Sequence, residues 1–161
     1  MAGYGDNAAL DALVAAMGYS YPEGVTEDQK TAARQRGSVY IDGLYGPRFP
    51  GVPTGGAVQE REWPRSGAHD VYGNSLPSET VPQRVIDASL EAAFLSLTNP
   101  KIFSATYTPG TQKVLTEVKG IKWEVVGHPS ADGSMVPVST VIEGILAPLL
   151  APKNIPAILV V

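Results

Sequence analysis

The stretch VPQRVIDASLEAAFLSL, residues 81–97, sets the architecture, because no other part of the chain is so strongly patterned. Thr80 and Gln83 form a capping-box pattern, and Pro82 suits a first helical turn. We therefore predict a helix that runs to about Leu97, with Glu91 on its polar side. Its buried face would comprise Val85, Ile86, Leu90, Ala93, Phe94 and Leu97.

Two further helices are predicted before this one. Asp6 can cap a first helix that ends near Met17. Thr26 and Gln29 form a capping box, which predicts a second helix from Glu27 to about Tyr45. The apolar face of the second helix would comprise Ala33, Gly37, Tyr40, Ile41 and Leu44.

The last third predicts a small β element and a short helix. Apolar and polar residues alternate over residues 112–126, which favours two strands, with Gly120 as a bulge or bend rather than a tight hairpin turn. Thr140 and Glu143 form a capping-box pattern at the start of a short helix. Residues 155–161 are apolar, and we expect them to pair within the chain or with a neighbouring subunit.

The whole chain, residues 1–161, is interpreted as one domain. It would have a helical core over about 6–100, a β element over about 112–126, and a C-terminal helix and extended tail over 139–161. The predicted fold class is mainly α, a helical bundle with a small antiparallel β element and long ordered loops.

The composition limits the classes of partner. The net charge is −4 and only 17% of residues are charged, which argues against broad electrostatic binding of nucleic acid but leaves room for a local basic patch. There is no cysteine, so disulfides and thiol chemistry are excluded. We expect no signal peptide, because the first residues lack a basic stretch followed by an apolar one. We also expect no membrane partner, because prolines interrupt the apolar C-terminal third. So low a charge is expected of a subunit that buries surface in an assembly.

A long segment without periodicity covers residues 48–79. Its aromatic residues argue against disorder, so we predict an ordered excursion across the surface. Trp63-Pro64-Arg65 combines residue types that are enriched at interface hot spots, and an interface role and simple loop anchoring are equally supported. The interface candidates in the whole chain are Trp63, Pro64, Arg65, Arg61, Trp123, Ile155, Ile158 and Val160.

Signals of catalysis are weak. The phosphate-binding glycine-rich motif and the nucleophile-elbow motif are both absent. His69 and Asp70 could form an imidazole–carboxylate pair, but no further motif supports a hydrolase, which stays the weakest alternative. We therefore expect no enzymatic activity, no catalytic residue, no cofactor and no metal site.

Arginines and aromatics interleave in one part of the chain, as they do in proteins that bind single-stranded nucleic acid. The residues concerned are Arg34, Arg36, Arg48, Arg61 and Arg65, with Tyr40, Tyr45, Phe49 and Trp63. Glu60 and Glu62 flank Arg61, which interrupts any continuous basic groove. Salt bridges and cation–π contacts within or between subunits are the favoured interpretation of these arginines.

Residues 26–97 resemble a family of tailed-phage proteins. The resemblance rests on the order and spacing of Ala33 to Gly37, Tyr40-Ile41-Asp42, Tyr45, Arg48-Phe49, Gly51, Gln59, Trp63-Pro64-Arg65, Asp70, Gly73, Val81-Pro82 and Ala88. Members of this family are named DnaT-like single-stranded-DNA-binding proteins, and they are also similar to the head-tail connector, or adaptor, proteins.

The resemblance implies a structural virion protein in the neck of a phage particle, made in the host cytoplasm. It implies a homo-oligomeric ring, expected to be a dodecamer, that contacts the portal protein and a tail terminator or head-completion protein. Genomic DNA would pass through this ring without sequence specificity. The alternative is a single-stranded-DNA-binding replication accessory protein, with Trp63, Arg61 and Arg65 lining the groove.

Overall fold

The described part of the chain is mainly helical. The computed structural model describes residues 2–103, 117–118, 121–122 and 139–151. Its helices are α1 (Asn7–Ala16), α2 (Glu27–Tyr45), α3 (Gln83–Thr98) and α4 (Thr140–Leu146), with 3-10 helices at Gly46–Arg48, Gly56–Val58 and Ala147–Leu149. Two antiparallel pairs of short strands accompany them: β1 (Val52–Pro53) with β2 (Arg65–Ser66), and β3 (Glu117–Val118) with β4 (Ile121–Lys122). The predicted combination of helices with a small β element is confirmed.

The first two helices begin where their caps predicted. The Asp6 carboxylate accepts a hydrogen bond from the Ala9 amide at 2.7 Å. At the start of α2, the Thr26 hydroxyl accepts from the Gln29 amide at 3.3 Å, and the Gln29 side chain accepts from the Thr26 amide at 2.8 Å. Both interactions satisfy amide groups that a helix start leaves without a partner.

Two predicted capping boxes are wrong. Helix α3 follows Pro82 and has no side-chain cap, so Thr80 lies outside the helix. Pro82 has extended backbone angles and directly precedes the first helical residue. Its ring fixes φ, which favours a helix start at this position instead of at Thr80. At α4 the cap is Ser139, one residue earlier than predicted, and its hydroxyl accepts from the Ile142 amide at 3.4 Å.

The second strand pair lies within the predicted β element. Val118 pairs with Ile121 and Glu117 pairs with Lys122. The predicted bulge or bend at Gly120 falls outside the described residues and stays a prediction. The other residues of the predicted 112–126 element lie outside the described residues.

Helices α2 and α3 pack closely because small residues face each other. A β-carbon added at Gly37 would overlap the carbonyl oxygen of Ser89 and lie 2.8 Å from the Ala93 nitrogen. The buried hydroxyls of Ser38 and Ser89 are hydrogen-bonded at 2.7 Å, which links the two backbones through paired polar groups. This contact sets the relative position of the two helices.

Helix α3 is buried on most of its circumference. Its residues contribute to two apolar clusters, one with α1 and α2 around Leu10 and Phe94, and one with α2, α4 and the long loop around Ile41 and Trp63. The prediction that Glu91 lies on a polar face is wrong, since the residue is only 3% exposed. The Tyr19 hydroxyl donates to its carboxylate at 3.3 Å, and burial raises the pKa of Glu91.

Candidate nucleic-acid interface

The tryptophan of the long loop is a core residue. Trp63 is 2% exposed, and its ring packs edge-on against Phe49 with the ring centroids 5.4 Å apart. Its backbone amide donates to the Tyr4 hydroxyl at 3.1 Å, and the Trp63–Pro64 peptide bond is cis. Of the two interpretations of Trp63, loop anchoring describes what its ring does here. The indole is not accessible to a base or a partner in this conformation.

Arg65 and Pro64 also hold the loop together. The Arg65 guanidinium, in a residue that is 6% exposed, donates to the carbonyl oxygens of Pro50 at 2.9 Å and Gly51 at 2.7 Å and pairs with the Glu62 carboxylate. The Pro64 carbonyl accepts hydrogen bonds from the Thr54 amide and the Gln59 side chain. The segment 48–79 is ordered, as predicted, and these internal contacts hold it in place.

The Arg61 side chain links the N-terminal residues to the long loop. Its guanidinium donates to the Ala2 carbonyl at 3.0 Å, lies over the Tyr4 ring, and pairs with the Asp42 carboxylate at 3.4 Å. The Tyr4 hydroxyl donates to the other Asp42 oxygen at 2.7 Å. Burial raises the pKa of both Tyr4 and Asp42. The predicted groove of Trp63, Arg61 and Arg65 is therefore not formed by these residues.

The remaining predicted site residues divide into two groups. Trp123, Ile155, Ile158 and Val160 lie outside the described residues, so their interface role stays a prediction. His69 and Asp70 are adjacent but do not pair with each other: the imidazole lies 3.1 Å from the Gly67 carbonyl, and the Asp70 carboxylate accepts from the amides of Tyr72 and Asn74.

Arg36 differs from the other arginines of the chain. Each of the others contacts a protein group: Arg34 with Asn7 and Gly5, Arg48 with Glu143, Arg61 with Asp42, Arg65 with Glu62, and Arg84 with the Ile145 carbonyl. Arg36 is exposed and bonds to none of the residues that the structure describes. Within the described residues, all donors of its guanidinium remain without an acceptor.

A groove of about 530 Å³ lies beside Arg36, on the outer side of α2 and next to the end of α3. We call it the α2 groove; Ala32, Gln35, Arg36, Val39, Tyr40, Pro100 and Phe103 line it. Tyr40 and Phe103 stack with their ring centroids 4.0 Å apart, and Phe103 is partly exposed. A flat aromatic surface beside a free guanidinium is the arrangement with which proteins hold a base and its phosphate.

The sequence predicted only part of this groove. Arg36 and Tyr40 belonged to the interleaved arginines and aromatics, but Val39, Pro100 and Phe103 were not among the candidates. The available signal was the spacing of Ala32, Arg36 and Val39, which places them on one side of a helix, away from its buried face.

The long loop exposes large apolar side chains elsewhere. Val52, Val58, Val71 and Tyr72 are all exposed, Val58 by 89% and Tyr72 by 78%. We call these four residues the loop surface. All four lie in the segment 48–79, and exposed apolar groups that form a contiguous patch are typical of a protein contact.

The described residues contain no group of three or more His, Asp or Glu side chains placed to hold a metal ion. Among the same residues, no helix is both long enough and apolar enough to cross a membrane.

A protein-family model described as "Putative DnaT-like ssDNA binding protein" matches residues 2–160. No curated protein and no solved structure matches the chain.

Proposed function

Since the chain belongs to the family of DnaT-like ssDNA-binding proteins, we propose that it binds single-stranded DNA and that the α2 groove is the contact site. The observation that carries the proposal is the free guanidinium of Arg36 beside the partly exposed ring of Phe103. In this assignment Arg36 contacts a phosphate, and a base lies against Phe103 and the apolar wall that Val39 and Pro100 provide.

The groove replaces the site expected from the sequence. The protein itself already buries Trp63 and pairs Arg61 and Arg65 with carboxylates. Binding of DNA through these residues would require the loop to leave the core. The cost would include exposing a buried indole and leaving Asp42 and Glu62 without their partners. The α2 groove demands no such rearrangement.

The charge of the chain predicts how this binding should depend on salt. With a net charge of −4 and one free arginine at the groove, few phosphates can be neutralised. The logarithm of the association constant should therefore fall gently with the logarithm of salt concentration, by about 0.7 for each phosphate contact with a single strand.

The test is the fluorescence anisotropy of a labelled oligothymidine in a salt series. We expect Arg36→Ala to weaken binding and to reduce the salt slope by about 0.7, and Arg36→Lys to restore much of that slope. Arg84→Ala is the matched control, because Arg84 is exposed and lies near the other end of α3, about 20 Å along the helix. Absence of binding by the unaltered protein, or an Arg36→Ala variant that binds like it, would overturn the proposal.

A second candidate function is that of a head-tail connector, and the loop surface favours it. Four exposed apolar residues and a low charged fraction suit a subunit that buries surface in a ring. In this role the chain would form a dodecameric ring in the virion neck, between the portal protein and a tail terminator or head-completion protein, and genomic DNA would pass without being held.

Light scattering tests the connector role. The protein would be measured alone and after mixing with the portal protein of its own particle. A defined complex of ring size would support this role, and truncation after Lys153 should weaken it if the tail contributes. Failure to interact with the portal, together with salt-sensitive binding of oligothymidine, would favour the first candidate.

A further inference from the structure

The α2 groove contains a second exposed polar side chain, to which the proposed function gives no role. Gln35 lines the groove next to Arg36, and both residues are exposed, whereas the third polar residue of the described lining, Tyr40, is buried. The Gln35 side chain bonds to none of the residues that the structure describes. Within these residues, both the donor and the acceptor of its amide are without a partner.

Helical spacing places Gln35 and Arg36 on opposite sides of an apolar strip. Ala32 and Val39 form this strip, because they lie two turns apart on the same face of α2. Gln35 comes three residues after Ala32 and four before Val39, so it is a neighbour of both on the helix surface. Arg36 is a neighbour of the same two residues, but consecutive residues point about 100° apart around a helix. The amide and the guanidinium therefore flank the strip.

A base that lies on the apolar strip needs a partner for its polar edge. Polar groups that move from water onto an apolar surface cost free energy unless they form hydrogen bonds there. A nucleotide whose phosphate is at Arg36 extends across the strip toward Gln35, so the edge of its base meets the Gln35 amide. An amide has a donor beside an acceptor, and it pairs with a base edge that has an acceptor beside a donor.

We propose, resting on the function assigned to the groove above, that Gln35 reads the base and that the α2 groove prefers adenine. Adenine has its 6-amino donor beside an acceptor on both exposed edges, N7 on one and N1 on the other, so the amide can pair with either edge. Guanine has two acceptors, N7 and O6, on the corresponding outer edge. Thymine and cytosine have a single ring and present less surface for stacking. The ligand of the groove is therefore an adenine-rich single strand.

Gln35 and Arg36 have separate roles in this assignment. A phosphate contact gives affinity that depends on salt but not on sequence, whereas a contact with a base edge gives sequence preference. Replacement of Gln35 should therefore change the preference among bases and leave the salt slope as it is. Replacement of Arg36 should reduce the salt slope and leave the preference among bases.

The test is a double-mutant cycle between the Gln35 side chain and the 6-amino group of the base. Fluorescence anisotropy would compare a short oligodeoxyadenosine with a matched oligomer whose purines lack the 6-amino group. We expect the ratio of the two affinities to be about fivefold or more higher for the unaltered protein than for Gln35→Met, which keeps the length of the side chain but removes its amide. Gln35 is exposed, so the variant should keep the thermal midpoint. Gln83→Met is the control, because Gln83 is exposed at the start of α3 and is not among the lining residues.

The outcomes distinguish the role of Gln35 from the function of the groove. A ratio that falls in Gln35→Met but not in Gln83→Met, with an unchanged salt slope, would support base reading by Gln35. If the oligomers bind and Arg36→Ala reduces the salt slope, but the ratio is the same with and without the Gln35 amide, the role of Gln35 is overturned and the groove remains the contact site. Tighter binding of oligothymidine than of oligodeoxyadenosine by the unaltered protein would also overturn the preference for adenine. If no oligomer binds, both proposals are wrong.

Discussion

Replacing Gly37 by alanine tests the close contact between α2 and α3. The added β-carbon would meet backbone atoms of Ser89 and Ala93, and backbone atoms cannot rotate away as a flexible side chain can. Overpacking of this kind costs about 3 kcal/mol, the upper part of the usual range. Alanine gains about 1 kcal/mol over glycine in helix propensity. We therefore expect a net loss of about 2 kcal/mol in the free energy of unfolding.

Gly43 provides the matched control on the same helix. It is exposed, and a β-carbon added there has no other atom within 4 Å. Gly43→Ala should therefore show the propensity gain alone, about 1 kcal/mol. For a domain of this size the midpoint of thermal unfolding should rise by about 2–4 °C for Gly43→Ala and fall by about 4–8 °C for Gly37→Ala.

The assay is urea unfolding followed by the helical circular dichroism signal, with a thermal scan of each variant. Comparable slopes of free energy against urea would show that the substitutions alter stability and not the extent of unfolding. If Gly37→Ala proves as stable as Gly43→Ala, the close approach of α2 and α3 at this position is refuted, and with it the role assigned to the facing small residues.

Other predictions concern single buried or capping groups. Trp63→Ala should cost about 3–5 kcal/mol in urea unfolding. Trp63→Phe should cost much less, because the buried indole nitrogen has no acceptor among the described residues; equal losses would contradict the anchoring role of the ring. Glu91 has a raised pKa, so its folded form binds a proton more tightly than its unfolded form, and stability should fall as the pH rises from 4.5 through the raised value. The side chain of Glu91→Gln cannot titrate. As the pH rises from 4 to 7, the free energy of unfolding of this variant in urea should therefore increase relative to that of the unaltered protein. A difference between the two proteins that does not change with pH would refute this. Thr26→Ala should cost about 1 kcal/mol and Thr26→Ser much less, because serine retains the capping hydroxyl; equal thermal midpoints would argue against the cap.

The helices were predictable where local chemistry determines them. Asp6 and Thr26 cap α1 and α2 by bonding to amides three residues ahead, so their positions can be read directly from the chain. The start of α3 was missed because Pro82 determined it without any side-chain bond. The burial of Glu91 was missed because helical periodicity predicts one buried face, whereas α3 is covered from several sides.

The candidate sites were less predictable, because they depend on contacts between distant parts of the chain. Arg65 is internal because its guanidinium meets carbonyls some 15 residues earlier, and Arg61 because Ala2 and Asp42 lie beside it. The sequence shows five arginines near aromatic residues, but it does not show which of them form hydrogen bonds or salt bridges within the protein. That Arg36 alone among them has no partner within the described part of the chain became evident only when the partners of the others were known.

The hydrogen bonds that hold the long loop against the rest of the protein also affect how a protease would cut the chain. Trypsin cleaves after arginine and lysine in accessible, extended chain, and Arg61 and Arg65 are held against the body of the protein by five hydrogen bonds to carbonyls. A digestion map would therefore report residues 48–79, with hardly any regular secondary structure, as part of the resistant fragment.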